Sequence, residues 1–252
     1  MKTKDLLNNL HNEFAREGFV LHAKLLAVSI LALTTWPVTG KFVANRHEKQ
    51  QMLQKRKRQA ASLAEFHNAV MRLTEKSHCI DLGANIGMIS EIFASTGASV
   101  YSFEPDPWSF QQLKSRLCKF PNVEINEAAV GTENGRAHLS RAANFDDNQK
   151  DLSLGSSLVR KQEGATIEVE LRDIRTFIRK LNGTVDILKI DIEGAEIALL
   201  KALINDEESL RKIGKVFVET HETFGEELLR ETNELRDELK RRRLHNISLD
   251  WI

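Results

Sequence analysis

From about Ser77 onward, short apolar runs alternate with longer amphipathic ones. The runs "HCIDLG", "SVYSFEP", "NVEINEAAV", "VDILKIDIEG" and "KVFVETHE" have the length and residue types of strands. Between them Ile86–Ser95, Trp108–Phe120, Ala195–Leu203 and a charged stretch from about Gly225 to Arg243 show helical spacing. Strands alternating with helices of this length predict an α/β fold with a doubly wound, mostly parallel sheet. "VDILKI" and "KVFVE" are almost continuously apolar, as expected of strands covered on both faces. The alternation breaks between Gly131 and Ile174. There Arg136–Ser140, Ser157–Val159 and Ile167–Leu171 read as short β pieces around a polar loop, "RAANFDDNQKDLSLG". A loop of that length is expected to be a lid or a disordered connection. Leu228, Leu229, Leu235 and Leu239 give the last helix an apolar stripe for the sheet or for a second copy, and the sheet is the commoner partner.

The amino-terminal quarter follows a different pattern. Phe19 to Val38 reads "FVLHAKLLAVSILALTTWPV", and its uncharged part begins only at Leu25. That part is shorter than the roughly 20 residues needed to cross a bilayer. Asp5, Glu13 and Glu17 precede it, which fits a signal peptide poorly. A buried helix is the favoured reading. A peripheral membrane contact through residues 19–58 is the rival, because "KRKR" at Lys55–Arg58 could meet anionic headgroups. The polar stretch from Lys41 to Ala60 suggests a boundary, giving a helical extension over 1–60 and a main domain over 61–252. A cytoplasmic protein, membrane-associated if that contact exists, is the corresponding expectation.

Composition narrows the chemistry. The 252 residues carry 36 Lys plus Arg against 36 Asp plus Glu, so no overall field favours nucleic acid. Cys79 and Cys118 form no CxxC pair, which suggests neither a disulfide framework nor a zinc site. Cys79 lies in an apolar run and reads as a small buried hydrophobe.

Candidate chemistry gathers where strands end. In "CIDLGANIGMIS" (Cys79–Ser90), Gly83 and Gly87 allow a tight turn and a close approach of backbone to a ligand. The spacing is not GxGxxG, and Asp81 beside the turn would repel a pyrophosphate but accept an ammonium or sulfonium group. Glu104 ends the second strand about 20 residues later, placed to take hydrogen bonds from ribose hydroxyls, and Pro105 stops the strand there. Glu127 and the small Ala128 could bracket a base at the end of the third strand. Together these features suit S-adenosylmethionine better than NAD.

In "DILKIDIEGAE" (Asp186–Glu196), Lys189, Asp191 and Glu193 share one face if the strand persists that far. Charges at the end of a buried strand are costly unless paired or functional. "VETHE" adds Glu219 and His221 beside the same crevice.

"DLGANIGMIS", "SFEPDP", "NEAAVG", "DILKIDIEGAE" and "VFVETHE", in this order and spacing, resemble the FkbM family of S-adenosylmethionine-dependent methyltransferases. The resemblance covers roughly Ser77 to Glu222, and its most specific block is "LKIDIEGAE". It implies a class I methyltransferase fold and O-methylation of a sugar, a glycan or another small molecule. It also implies that Asp81, Gly83, Asn85 and Gly87 line the cofactor turn, that Glu104 holds the ribose and that Asp191 faces methyl transfer. Two features depart from the family pattern. The chain ends soon after one plausible final strand, so the closing antiparallel hairpin is expected to be short. The amino-terminal apolar segment lies outside the resemblance.

An alcohol acceptor must lose a proton during transfer. Asp191 or His221 is the candidate base, with Lys189 or Glu193 orienting the acceptor. No metal-ligand set is assigned, although a carboxylate cluster could hold Mg²⁺ through oxygen. Two rivals stand beside this reading: a nicotinamide-dependent oxidoreductase, and a non-catalytic membrane- or partner-binding protein on the same fold. The sequence leaves the oligomeric state and the acceptor's identity open.

Overall fold

The computed structural model describes residues 46–141, 157–159 and 164–251. The apolar segment Phe19–Val38 and most of the polar loop after Arg141 lie outside them. The chain forms two compact units, Met1–Leu53 and Gln54–Ile252, and the second holds the sheet and every candidate site residue.

Helix α1 (Arg46–Val70) buries Phe66 and Val70 completely. The Phe66 ring packs against Phe93, Phe217 and Trp251, with centroids 5.8, 5.1 and 4.1 Å away. Within the basic run, Lys55 pairs with Glu222 (2.6 Å) and Arg58 with Asp250 (3.0 Å), so two of its four cations face the protein's own acids. No helix among the described residues is long and apolar enough to cross a membrane.

Strands β1 (His78–Leu82), β2 (Ser99–Phe103) and β3 (Val123–Asn126) alternate with α2 (Met88–Ala94) and α3 (Pro107–Leu117). After an excursion come α4 (Ile174–Lys180), β7 (Val185–Ile190), α5 (Glu196–Ile204), α6 (Glu207–Arg211), β8 (Ile213–Val218), α7 (Glu226–Arg242) and β9 (Ile247–Ser248). The main sheet has the order β3-β2-β1-β7-β8-β9 and every ladder in it is parallel. This is the doubly wound α/β architecture expected from the alternation. In the place expected of a closing antiparallel hairpin, the described residues show β9, two residues that pair parallel to β8.

Strand order reverses at β1, which lies between β2 and β7, and such a switch point opens a crevice beyond the strand ends. Register then decides what lines it. Asn126 pairs with Phe103, Phe103 with Leu82, Leu82 with Ile190 and Ile190 with Val218, so the strands end flush. The residues that follow them, Glu127, Glu104, Gly83, Asp191 and Glu219, therefore line one edge of the sheet.

Three local expectations change. "NVEINEAAV" is two strands, because after Asn126 the chain leaves the main sheet and Ala129–Gly131 (β4) joins β5 (Gly135–Ser140) and β6 (Thr166–Asp173) in a second one of order β4-β6-β5. In it, β5 and β6 pair antiparallel, and Arg172 of β6 donates to the Asn126 amide oxygen at the branch (2.5 Å). Helix α2 starts at Met88 instead of Ile86, because Gly87 in front of it has φ +85, outside helical space. Strand β7 stops at Ile190 and Glu193 takes φ +53, so alternation ends before it can place Lys189, Asp191 and Glu193 on one face.

The main core runs between the sheet and α4, α5 and α7, where Leu235 and Leu239 are buried and Leu228 packs partly against them. Leu229 is 44% exposed. The apolar stripe of α7 thus serves the sheet.

Candidate active site at the carboxyl edge of the sheet

The turn after β1 is held from three sides. Gly83 and Ala84 donate their N–H groups to the Phe103 carbonyl (3.0 and 2.9 Å), tying the turn to β2. On the other side the Asp191 N–H donates to the Leu82 carbonyl (3.1 Å). Gly83, at φ +72, lies so close to β7 that a Cβ there would sit 1.7 Å from the Asp191 carbonyl oxygen. A Cβ on Gly87 would meet Leu113 at 2.7 Å. The close approaches that the structure itself shows for these glycines are therefore to protein atoms.

Asp81 is fully buried beneath the turn. The Ser90 hydroxyl donates to its Oδ2 (2.6 Å), which obliges Ser102, 2.8 Å from Ser90, to donate in turn. Lys189, 4% exposed, faces Asp81 Oδ1 and Asp191 Oδ2, each at 3.3 Å, and donates to the Gly83 carbonyl at 2.8 Å. Burial opposes its charge, but Asp81, Asp191 and Glu219 outweigh that and push the ammonium's pKa up. The lysine thus joins the turn to Asp191 from below, and its head group is spent on protein partners.

Glu104 is 6% exposed. Its oxygens accept the Asn85 N–H (2.7 Å) and the Asp106 N–H (2.8 Å). Burial pushes its carboxyl up to about 7, against these two bonds. Both donors are neutral and each carboxylate oxygen has two lone pairs, so a pair of neutral hydroxyls is a suitable complement. Asn85 holds its place at φ +49, and Glu127 is exposed while Ala128 is fully buried one strand further on. Two cations reach the carbonyls of the turn. Lys189 is matched by Asp81 and Asp191, and Arg116, which donates to the Ile86 carbonyl (2.7 Å), is matched by Glu91 (3.0 Å). That donor set suits a nucleoside bearing a positive group better than a pyrophosphate, which needs free donors and cations.

The ends of β7 and β8 bring together Asp191, Glu193, Glu196, Glu219 and His221. Glu196 opens α5 and is fully buried. Its Oε1 accepts the Ile192 and Gly194 N–H groups (both 3.0 Å) and lies 2.9 Å from His221 Nδ1. The other ring nitrogen, Nε2, points toward Glu193 Oε2 (3.3 Å) and Asp191 Oδ1 (3.9 Å). Burial disfavours the charged ring, but the bond to Glu196 and the charges of Glu196, Glu193 and Asp191 prevail and push His221 up to about 9. Burial, reinforced by Asp191 and opposed by His221, pushes Glu193 up to about 8 and Glu219 up to about 7.

The Glu193 backbone is held at φ +53 by the Ser157 hydroxyl, which donates to its carbonyl (2.6 Å). One side of the site is apolar: the Phe224 ring lies 4.8 Å from the His221 ring, and a Cβ on Gly194 would touch Phe224 and Val159.

Asp191, Glu196 and His221 each present one ligand-type atom within 4.8 Å of the others. Glu196 Oε1 is already filled by two backbone donors and the imidazole, and Oε2 shares the Gly194 N–H (3.1 Å), so a metal bound through Glu196 would compete with these bonds. The donor set is that of a hydrogen-bonded dyad beside three further carboxyls, Asp191, Glu193 and Glu219. Glu196 is the member that the candidate residues omitted. Its signal was in the sequence: it precedes Leu199, Leu200 and Leu203 at helical spacing, a charge on an otherwise apolar stripe.

The Methyltransferase FkbM domain model matches residues 81–245. Methyltransferase sdnD of Sordaria araneosa is 26% identical over 185 residues, covering 62% of this chain and 71% of that protein. Methyltransferase 1 of Beauveria bassiana is 24% identical over 170 residues, 60% of this chain and 68% of that protein. Hexuronic acid methyltransferase AglP of Haloferax volcanii is 26% identical over 142 residues, 56% of this chain and 54% of that protein. The chain belongs to the FkbM methyltransferase family.

Proposed function

We propose that this FkbM-family methyltransferase uses S-adenosylmethionine to methylate a hydroxyl on a sugar, a glycan or another small molecule. The observation that carries the reading is the shared edge. A buried carboxyl that, among the described residues, is bonded by neutral donors, Glu104, and an acid–imidazole set at Asp191, Glu193 and His221 flank one switch-point crevice. The similarity to a protein named as a hexuronic acid methyltransferase supports a sugar acceptor. In this reading residues 61–252 form the catalytic domain, with 1–60 as an extension, and the protein works in the cytoplasm.

When bound, S-adenosylmethionine supplies a methyl group activated by its sulfonium. Gly83, Asn85 and Gly87 would shape the turn around it, Glu104 would take the ribose hydroxyls, and Glu127 and Ala128 would border the base. Asp81 and Asp191 supply negative charge near the sulfonium, with Asp81 acting from beneath the turn. The remaining work is alignment and proton removal. Alignment of two bound reactants is worth up to about 7–11 kcal/mol of barrier. Asp191 and His221 Nε2 face the acceptor side and can take the hydroxyl proton, a contribution of about 10²–10⁴-fold in rate. Glu193 orients the acceptor, Lys189 fixes Asp191 against the turn, and Phe224 with Val159 offers the acceptor an apolar wall.

Calorimetric titration with S-adenosylmethionine, S-adenosylhomocysteine and NAD tests the cofactor. Saturable binding of both sulfur nucleosides, weakened in Glu104→Ala and absent for NAD, is expected. A folded sample that binds neither sulfur nucleoside overturns the reading and leaves a non-catalytic binding protein. Asp191→Asn should retain cofactor binding and lose most turnover.

A further inference from the structure

The Glu196–His221 contact does more than neutralise a buried acid. Oε1 of Glu196 already accepts two backbone N–H groups, so toward the ring it is an acceptor, and the proton between them belongs to Nδ1. Glu196 cannot swing away. Its side chain is fully buried on the core face of α5, and both backbone donors come from the loop that carries Asp191 and Glu193. The ring is held on its other side by Phe224. With Nδ1 committed, Nε2 is the nitrogen aimed at the acceptor crevice, 3.3 Å from Glu193 and 3.9 Å from Asp191.

We propose that Glu196 is a positioning residue that fixes His221 as the Nδ1–H tautomer and so makes Nε2 the proton acceptor of the site. The proposal rests on the methyl-transfer reading for its purpose, but the dyad can be measured without turnover. The charged groups that bear on the ring are Glu196 from α5, Asp191 and Glu193 from the loop after β7, and Glu219 just after β8; Lys189 of β7 lies among the same acids, and Glu222, the next residue in the chain, is paired with Lys55. Of these, Glu196 alone bonds the ring directly at Nδ1, which is why its loss should be felt there most. In the charged state the ring carries its Nε2 proton beside Glu193, 3.3 Å away. It can accept a proton only after giving that one up, so base catalysis grows toward alkaline pH.

The test is nuclear magnetic resonance of ¹⁵N-histidine-labelled full-length protein titrated from pH 5 to about 10, with His221→Asn to assign the signal. Expected for the unmodified chain is a ring that loses its Nε2 proton near pH 9 and remains protonated at Nδ1. In Glu196→Gln the midpoint should fall by about a unit or more, a tenfold or larger change in proton affinity, and the Nδ1–H preference should be lost. A neutral ring protonated at Nε2 in the unmodified chain overturns the proposal and needs no variant. An unmoved midpoint and tautomer in folded Glu196→Gln overturn it as well. Neither result depends on cofactor binding, so failure of the methyltransferase reading is seen separately, in the calorimetry.

Discussion

Replacing Gly83 with alanine isolates the contact that joins the turn after β1 to the acid loop after β7. Two costs are built in. The residue sits at φ +72, where an L side chain loses about 1–2 kcal/mol. The new Cβ would also lie 1.7 Å from the Asp191 carbonyl oxygen, whereas real Cβ atoms essentially never come within 3.0 Å of a heavy atom. The two loops must therefore separate by more than an ångström. Separation stretches the Asp191 N–H bond to Leu82 and the Gly83 N–H bond to Phe103, and an unsatisfied buried backbone group costs about 1–3 kcal/mol. The combined loss is about 3–8 kcal/mol, a large part of the 5–15 kcal/mol typical of a folded domain. Gly97→Ala is the control, because φ is +86 there but the nearest atoms, in Glu75, lie 3.7 Å away. It should cost only the strain, about 1–2 kcal/mol. Urea denaturation followed by circular dichroism measures both. A difference between the two variants below about 1 kcal/mol would refute the claim that the Asp191 carbonyl dictates glycine at 83.

Lys189→Met should destabilise the fold by about 3–5 kcal/mol, because Asp81 would be left buried without its cation; adding Asp81→Asn should recover part of that loss in a denaturation cycle. Stability should fall as pH rises from about 4.5 to 9. Glu104 and Glu219 at about 7 and Glu193 at about 8 bind protons more tightly in the fold than their ordinary 4.5, and His221 at about 9 does so relative to 6.5. The folded state thus holds more protons across this window and loses that advantage as each group ionises or discharges; for Glu104 alone the change is about 3 kcal/mol. Melting temperatures at pH 5.5 and 9 check the sign, and a flat or rising profile would contradict it. Ellman's reagent should titrate one thiol in the native protein, Cys118, and two in denaturant, because Cys79 is fully buried and its thiol is pushed up by burial and by Asp186.

The sequence by itself determined the architecture and the kind of chemistry. Mostly apolar runs such as "VDILKI", set among helical stretches, read as central strands, and a strand–helix alternation of this length closes as a parallel sheet. The acids at strand ends were visible for the same reason: Glu104 and Asp191 interrupt apolar patterns that local preference would have continued. Glu196 was legible too, as a charge in register with Leu199, Leu200 and Leu203, but nothing in the chain said which partner it met. Register was decided only in three dimensions. The flush pairing of Asn126, Phe103, Leu82, Ile190 and Val218 puts Glu104, Gly83, Asp191 and Glu219 on one edge, and no local signal encodes an offset between strands up to about a hundred residues apart in the chain. Position along the strand also failed as a guide to Glu193, because β7 ends at Ile190 and a left-handed turn, held by Ser157 from a distant loop, aims it instead. Local preference sets the elements because it acts over a few residues. The division of labour among Lys189, Glu196 and His221 depends on which charges meet after folding, when burial makes each unmatched one costly.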